Sequence, residues 1–280
     1  MQALAERLDE ALRGHRLVGW QPIGFAGLKT VRPSPDEAVG QTVERVGRRG
    51  KYLVVELGGR LRLLVHLSQA GRIDLEQPPK TTRGGKGGVV RLRFDGDDGD
   101  DGETAVLLRE HGTERKAAWW VLAPGDDGPL EGLGPEPDSA EFERLILEGD
   151  DRRRVHTLLR DQHTVSGVGR GYADDALWRA GLSPYATLAS LDADQRRRLL
   201  DAVRGVLADG LTKERTRAGG LSEPKLGGHF EVHGRTGLPC PRCGEPMRRV
   251  SYESHEVTYC PACQTGGKVL ADRRLSRLVK

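Results

Sequence analysis

The 280-residue sequence predicts an α+β chain of several domains: an N-terminal β-sandwich with a flanking helix, a helical domain, and a short C-terminal hairpin that carries cysteines. Three observations lead to this prediction. Apolar residues recur with a period of two over residues 16–123, which is typical of strands. After residue 138 they recur at three- and four-residue spacing, as in helices. All four cysteines lie between Cys240 and Cys263.

Residues 1–14 are predicted to form an amphipathic helix that ends at Gly14. Its apolar positions recur at helical spacing: Leu4, Leu8, Ala11 and Leu12. Further strands are expected before Tyr52, and the clearest strands are Tyr52–Leu57, 61–66, 89–94, 104–108 and 117–122. Gly58-Gly59 predicts a hairpin turn, and residues 95–103 form an acidic loop. We therefore assign residues 1–123 to the β-sandwich.

Residues 124–137 are rich in glycine, proline and acidic residues, which predicts a hinge between domains. The helical domain is assigned to residues 138–212, and a loop with the cysteine hairpin to residues 213–280. The predicted helices are 139–147 with Ser139 as its N-cap, 155–161, 174–180 and 188–209. A glycine-rich segment at 165–171 joins two of them. It either presents backbone N–H groups to a phosphate or is a plain connector that needs positive φ.

The cysteine pattern predicts one structural zinc ion. Cys240 and Cys243 form one Cys-x-x-Cys pair, Cys260 and Cys263 form the second, and sixteen residues lie between the pairs. Each pair can turn two thiolates towards one tetrahedral ion, and a site closed by four thiolates stabilises a fold without doing chemistry. Two disulfides are the alternative, but they require an oxidising compartment, and no apolar signal peptide is found at the N-terminus.

Composition and charge favour a cytoplasmic protein with a polyanionic partner. Charged residues make up 30% of the chain and aromatic residues 5%. No apolar run approaches the roughly 20 residues that a membrane span needs. The net charge is +3, but residues 211–280 hold 13 Lys and Arg against 7 Asp and Glu. A basic segment that ends in a zinc hairpin fits binding to phosphates, because neutralised phosphates release counterions.

Several segments, in order along nearly the whole chain, resemble the formamidopyrimidine-DNA glycosylase / endonuclease VIII family of base-excision repair enzymes. Residues 167–184 resemble its helix-two-turn-helix, and residues 232–263 resemble its C-terminal zinc finger. Residues 49–53 and 66–71 are similar to its β-sandwich segments, and residues 133–137 to its interdomain linker. The resemblance implies an N-terminal β-sandwich, a helix-two-turn-helix domain and a C-terminal zinc ribbon.

The resemblance also implies an activity: a bifunctional DNA glycosylase and AP lyase that excises oxidised bases. The partner would be double-stranded DNA with damaged bases or abasic sites, bound by a monomer in the cleft between the two halves, at the nucleoid of a bacterium. In this family an N-terminal proline amine attacks C1′ of a flipped nucleotide, a neighbouring glutamate moves protons, and a Schiff base leads to strand cleavage. The α-amino group suits this role because its pKa is lower than that of lysine.

The chain departs from the family at the catalytic residues. The family begins Met-Pro-Glu, whereas this chain begins Met1-Gln2 and has no proline before Pro22. No catalytic residue is therefore assigned here. The helix at 1–14 matches the first helix of the family as though the start were set a few residues late, so we expect a truncated version of an active enzyme. The competing interpretation is a paralogue that binds damaged DNA without cutting it.

The resemblance places DNA contacts in both halves of the chain. Lys51 matches a lysine that contacts phosphate, and Gln69 stands where the family fills the gap left by the flipped base; the alternatives are a solvated lysine and a plain turn residue. Arg115 keeps the basic character of the void-filling loop at 112–116. Residues 214–230 lack the usual lesion-capping sequence, so the sequence does not predict the preferred lesion.

In the C-terminal half, the resemblance places Arg170 where the family has a phosphate-binding asparagine. His255 stands where the family has an arginine that reaches phosphate. Arg248 and Arg249, in the same hairpin, could compensate for that histidine, although solvated hairpin arginines would look the same in the sequence.

Overall fold

The computed structural model describes residues 1–24, 26–81, 87–96, 102–111, 114, 116–217, 228–252 and 255–271, with the backbone alone at 252 and 255. It divides into two compact units. The first holds the described residues of Met1–Glu131 and Arg215–Lys225, and the second those of Gly132–Glu214 and Leu226–Lys280. In the part of the chain that is described, no helix has the length and apolar character needed to cross a membrane.

The first unit is a β-sandwich of two four-stranded antiparallel sheets with one helix, as the sequence predicts. The helix is α1 (Gln2–Leu12), and the strands are β1 (Leu17–Pro22), β2 (Val43–Arg49), β3 (Tyr52–Leu57), β4 (Arg62–His66), β5 (Gly71–Glu76), β6 (Gly88–Phe94), β7 (Thr104–Glu110) and β8 (Ala118–Leu122). One sheet has the order β2-β3-β4-β8 and the other β1-β6-β7-β5. The hairpin predicted at Gly58-Gly59 joins β3 and β4.

The apolar core of this unit receives side chains from both sheets and from α1. Leu8 and Leu12 of α1 are buried in it, and Leu4 and Ala11 pack against it. The predicted apolar face of the first helix is therefore confirmed. α1 is also tied to β2 by a hydrogen bond, because the Asp9 carboxylate accepts from the backbone N–H of Val46 at 2.6 Å.

Strand β5 was not among the strands expected from the sequence, although charged residues alternate with its apolar ones. In the structure the two acids of the strand, Asp74 and Glu76, are buried beside partners. Arg91 Nε lies 2.9 Å from Glu76 Oε2, and each side chain is only 2% exposed. Asp74 pairs with Arg109, whose side chain is 30% exposed. A buried carboxylate is tolerated in a strand when a guanidinium satisfies it.

The second unit contains helices and a cysteine hairpin. Its elements are α2 (Ala140–Glu148), α3 (Val155–Arg160), α4 (Arg170–Ala180), α5 (Ala193–Thr216), β9 (Arg248–Tyr252), β10 (His255–Tyr259) and α6 (Pro261–Thr265). The predicted N-cap of α2 is confirmed, since Ser139 Oγ accepts from Phe142 N at 3.1 Å. Strands β9 and β10 pair antiparallel as the predicted hairpin.

The starts of two helices differ from the sequence prediction, and α5 also runs on to Thr216, beyond the predicted end at 209. The stretch predicted as one helix at 188–209 is a 3-10 turn, Leu188–Ser190, followed by α5. The break lies at Asp192 and Gln195, whose side chains each accept a hydrogen bond from the other's backbone N–H and so cap the new helix.

α4 begins at Arg170, four residues before the predicted start. Gly171 therefore lies in its first turn, where a glycine normally weakens a helix. A Cβ there would lie 2.4 Å from Phe230 Cζ. The glycine is needed for this close packing, which sequence periodicity does not reveal.

Candidate metal centre and nucleic-acid interface

The four cysteines converge on one point in the second unit. Their Sγ atoms all lie within 4.8 Å of one another, and none forms a disulfide. Sγ–Sγ separations are 3.9 Å for Cys240–Cys263 and 3.5 Å for Cys243–Cys260. Four thiolates at about 2.3 Å from one tetrahedral ion would be about 3.8 Å apart, whereas a disulfide is about 2.05 Å long. The residues present therefore fit a metal ion.

The backbone around each cysteine pair explains this convergence. In the first pair, Cys240 N donates to Glu245 O and Gly244 N donates to Cys240 O, both at 2.9 Å. Gly244 closes the turn with φ of +79°, a value that other residues rarely adopt. In the second pair, Cys260 caps α6 and its Sγ accepts from Cys263 N at 3.5 Å.

The electrostatics of the four thiols favour a cation among them. Burial alone would raise the pKa of the Cys240 thiol, but hydrogen bonds from the N–H groups of Arg242, Cys243 and Trp178 lower it to about 6. Burial and the neighbouring sulfurs raise the pKa of Cys260 and of Cys263. A bound cation relieves the repulsion among thiolates and lets all four ionise.

A buried carboxylate of α4 joins three other segments of the second unit. Asp174 Oδ1 accepts from His156 Nε2 of α3 at 2.9 Å, and Oδ2 accepts from His233 Nδ1 at 2.7 Å. The backbone N–H of Thr258 in β10 also donates to Asp174 Oδ2, at 3.2 Å. Burial alone would raise the pKa of Asp174, but the two histidines outweigh it and hold that pKa below its usual value.

The next residue of α4 holds the segment that leads into the hairpin. The carboxylate of Asp175 accepts from the backbone N–H groups of Glu231, Val232 and His233 at 2.7, 3.0 and 3.2 Å. Burial is the largest influence on the pKa of Asp175 and raises it, against these hydrogen bonds. Asp174 and Asp175 together fix the cysteine hairpin to the helix that follows the glycine-rich segment.

The N-terminus of α4 is suited to an anion. Its N-cap, Gly169, offers no side chain to the first turn, and Arg170 is exposed at the first helical position. Unsatisfied N–H groups and the helix dipole attract negative charge at such a terminus. Arg170, predicted as a DNA contact, therefore lies at a helix terminus whose N–H groups can bind a phosphate.

The predicted contacts of the first unit lie at one end of the β3–β4 hairpin. Lys51 is in the turn between β2 and β3, and Gln69 is in the turn between β4 and β5. Tyr52 pairs with His66 across the ladder, so these two turns meet at the same end of both strands. Arg115 lies outside the described residues.

The predicted contacts of the hairpin lie on its two strands. Arg248 and Arg249 are exposed on β9, and Arg249 pairs with Glu256 at 3.1 Å. His255 begins β10, opposite Tyr252 in the ladder, and its side chain is outside the described residues. Arg248, Arg249 and His255 lie on the hairpin between the two cysteine pairs. Lys51 and Gln69 belong to the other unit.

Sequence reasoning missed the side chains that join α4 to the cysteine hairpin. They are Asp174, Asp175, Trp178 and Gln264. The adjacent carboxylates of Asp174 and Asp175 were a usable signal, because acids that lie among the apolar residues of a helix need partners when they are buried. Their partners are far away in the sequence, so periodicity could not identify them.

A β-sandwich, a helix-two-turn-helix arrangement and a four-cysteine hairpin define a class of DNA-repair proteins. Two models of one family match the chain: the formamidopyrimidine-DNA glycosylase N-terminal domain over residues 1–108, and the formamidopyrimidine-DNA glycosylase H2TH domain over residues 133–219. The chain belongs to the formamidopyrimidine-DNA glycosylase family.

Relatives support this assignment over most of the chain. The formamidopyrimidine-DNA glycosylase of Chloroflexus aurantiacus is 30% identical over 280 residues, covering 94% of this chain and 95% of that protein. That of Thermus thermophilus is 36% identical over 245 residues, covering 82% and 85%. A formamidopyrimidine-DNA glycosylase-like protein of Mycobacterium tuberculosis is 39% identical over 149 residues, covering 53% of this chain and 94% of that protein.

Solved structures share the fold. MutM in complex with DNA containing carbocyclic 8-oxo-G superimposes with a TM-score of 0.81 at 22% identity, covering 94% of this chain and 97% of that one. Lactococcus lactis Fpg in complex with DNA containing an abasic site gives a TM-score of 0.79 at 23% identity, with the same coverage. At this identity the likeness shows the fold.

Proposed function

We propose that this protein acts in base-excision repair as a DNA glycosylase with AP lyase activity on oxidised bases, for which the N-terminal Pro-Glu of the family, missing from this chain, supplies the catalytic groups. The observation that carries the proposal is the second unit, in which a helix with an open N-terminus is fixed to a four-cysteine hairpin by Asp174 and Asp175. Membership of the formamidopyrimidine-DNA glycosylase family supports the same activity.

The cysteine cluster holds one structural zinc ion in this proposal. All four thiolates bind the ion, so no coordination position is left for a substrate. Its role is to hold β9 and β10 together and to keep Arg248 and Arg249 in place. Among the residues that the structure describes, no second group of three or more His, Cys, Asp or Glu side chains is placed to hold a metal ion.

The partner is double-stranded DNA with a damaged base or an abasic site, bound by a monomer. Lys51 and Gln69 contact it from the first unit, and Arg170, Arg248, Arg249 and His255 from the second. Phosphate contacts of this kind do not depend on sequence and weaken with salt. Arg115 takes part as the residue that keeps the basic character of its loop in register with the family. We expect the protein to act on chromosomal DNA in the bacterial cytoplasm.

The chemistry is tested with two versions of the protein. One is the 280-residue chain, and the other is extended at its N-terminus by the Met-Pro-Glu start of the family. Both are incubated with a duplex containing 8-oxoguanine or an abasic site, and borohydride is added to trap a Schiff base. We expect both versions to bind the lesion duplex, and the extended version alone to form an adduct, because it supplies the secondary amine.

The outcomes separate the activity from simple binding. Lesion binding without an adduct in either version would leave a damaged-DNA-binding protein without glycosylase chemistry. Equal affinity of both versions for damaged and undamaged duplex would contradict a role in repair.

A further inference from the structure

A tryptophan of α4 donates a hydrogen bond to a sulfur of the cysteine cluster. The Nε1 atom of Trp178 lies 3.3 Å from Cys240 Sγ. The side chain is 6% exposed, so this N–H has little access to water. The indole N–H is a donor only, and a thiolate in a dry site is a suitable acceptor for it.

An arginine of the first cysteine pair holds this tryptophan from the other side. Arg242 Cζ lies 4.4 Å from the centroid of the Trp178 ring. Its Nη2 donates to the backbone carbonyl of Arg179 at 3.2 Å, at the C-terminal end of α4. The guanidinium therefore stacks on the indole and also binds a helix carbonyl, which favours one orientation of the ring.

The second cysteine pair is fixed to the same stretch of chain by a different side chain. Gln264 Oε1 accepts from Cys260 N at 2.8 Å, and Gln264 Nε2 donates to Leu182 O at 2.8 Å. Both cysteine pairs are thus attached to residues 178–182 through buried polar groups. The end of α4 serves as the base on which the four thiolates are arranged.

We propose that Trp178 is a positioning residue of the metal centre, which orients Cys240 and stabilises its thiolate through the indole N–H. The inference rests on the zinc ion of the proposed function. Side chains that hydrogen-bond to metal ligands change metal affinity by about 10- to 100-fold. Loading of the metal is thereby coupled to the packing of the DNA-binding helix α4.

The test removes the indole N–H and keeps an aromatic side chain at position 178. Trp178→Phe is compared with Trp120→Phe, a matched change in β8 of the other unit. In a second variant, benzothienylalanine replaces Trp178, so that a sulfur atom takes the place of the indole N–H and the two fused rings remain. Zinc affinity is measured by competition with a chromophoric chelator at constant pH. The cobalt-loaded proteins give the sulfur-to-metal charge-transfer band.

We expect both changes at Trp178 to lower zinc affinity about tenfold or more. The charge-transfer band moves to longer wavelength, because a thiolate without this hydrogen bond gives up an electron more easily. Trp120→Phe leaves affinity and band unchanged.

An unchanged affinity and an unchanged band in the benzothienylalanine variant would overturn the proposal, even if Trp178→Phe fails to fold. The assay contains no DNA, so this result would leave the proposed repair function untouched. Conversely, if the unaltered protein did not bind the lesion duplex, the zinc affinities would still test the role of Trp178.

Discussion

The β-sandwich of the first unit and the cysteine hairpin of the second are stabilised by different chemistry. The β-sandwich has a large apolar core to which both sheets and α1 contribute. The cysteine hairpin has small apolar clusters, around Met247 and around Val250, and depends on thiol groups and buried carboxylates. A large core tolerates the loss of one polar group, whereas a small hairpin does not. The sandwich and the hairpin should therefore respond to different perturbations.

Removal of the metal is the perturbation with the largest expected effect. Structural zinc sites contribute on the order of 10 kcal/mol to the folding of small modules. With chelator, or in a Cys260→Ser variant, we expect backbone amides of β9 and β10 to lose protection in hydrogen exchange. Amides of β3 and β6 should keep theirs. Equal loss of protection in the hairpin and in the sandwich would show that the two do not unfold separately.

Truncation in the sandwich core should have the opposite pattern. Phe94 is fully buried, and Phe94→Ala should cost about 3–5 kcal/mol because it leaves a cavity. Val31→Ala, at an 88% exposed position, is the control and should change stability little. Urea unfolding measures the first effect, and zinc affinity should be the same in both variants. A large fall in zinc affinity for Phe94→Ala would contradict the comparison.

Asp174→Asn tests the polar network of the second unit. Asparagine has one acceptor oxygen, so at least one of the donors from His156, His233 and Thr258 would face its NH₂ group. We expect a loss of about 3 kcal/mol at neutral pH, measured by urea unfolding.

The pH dependence of this variant follows from the lowered pKa of Asp174. A carboxyl with a depressed pKa in the folded state stabilises the protein above its unfolded pKa of about 3.9, and that stability is lost as the pH falls below it. The difference between the native protein and Asp174→Asn should therefore shrink in acid. A difference that grows in acid would mean that Asp174 is not ionised in the folded state.

Lys51→Ala should have the smallest effect and should act on DNA binding, with folding unchanged. Loss of one phosphate contact should weaken lesion-duplex binding by about 1 kcal/mol and reduce the salt slope by about 0.9. Lys29→Ala removes an exposed lysine of the same unit and serves as control. Equal slopes for the two variants would remove Lys51 from the interface.

The sequence predicted those features that a local pattern determines. α1 and the β3–β4 hairpin follow from apolar spacing and from Gly58-Gly59. The grouping of the four cysteines follows from Cys-x-x-Cys spacing, because coordination by one ion fixes the geometry of each pair.

Features that depend on distant residues were not predicted. β5 carries Asp74 and Glu76, which pair with Arg109 and Arg91 from other strands. The glycine at 171 is explained by the close packing of Phe230, and Trp178 meets Cys240 only after α4 and the cysteine hairpin have both formed. The assigned DNA contacts remain predictions, because phosphate binding leaves no periodic signal.

The most direct test of the account is the affinity of the protein for a fluorescent duplex with an abasic-site analogue, against the same duplex undamaged. Anisotropy is recorded for zinc-loaded protein, for metal-free protein, and after zinc is restored. The account predicts a preference for the lesion duplex that disappears without zinc and returns with it, since the hairpin carries Arg248 and Arg249. Undiminished lesion binding by fully metal-free protein, or no preference for the lesion at all, would contradict it.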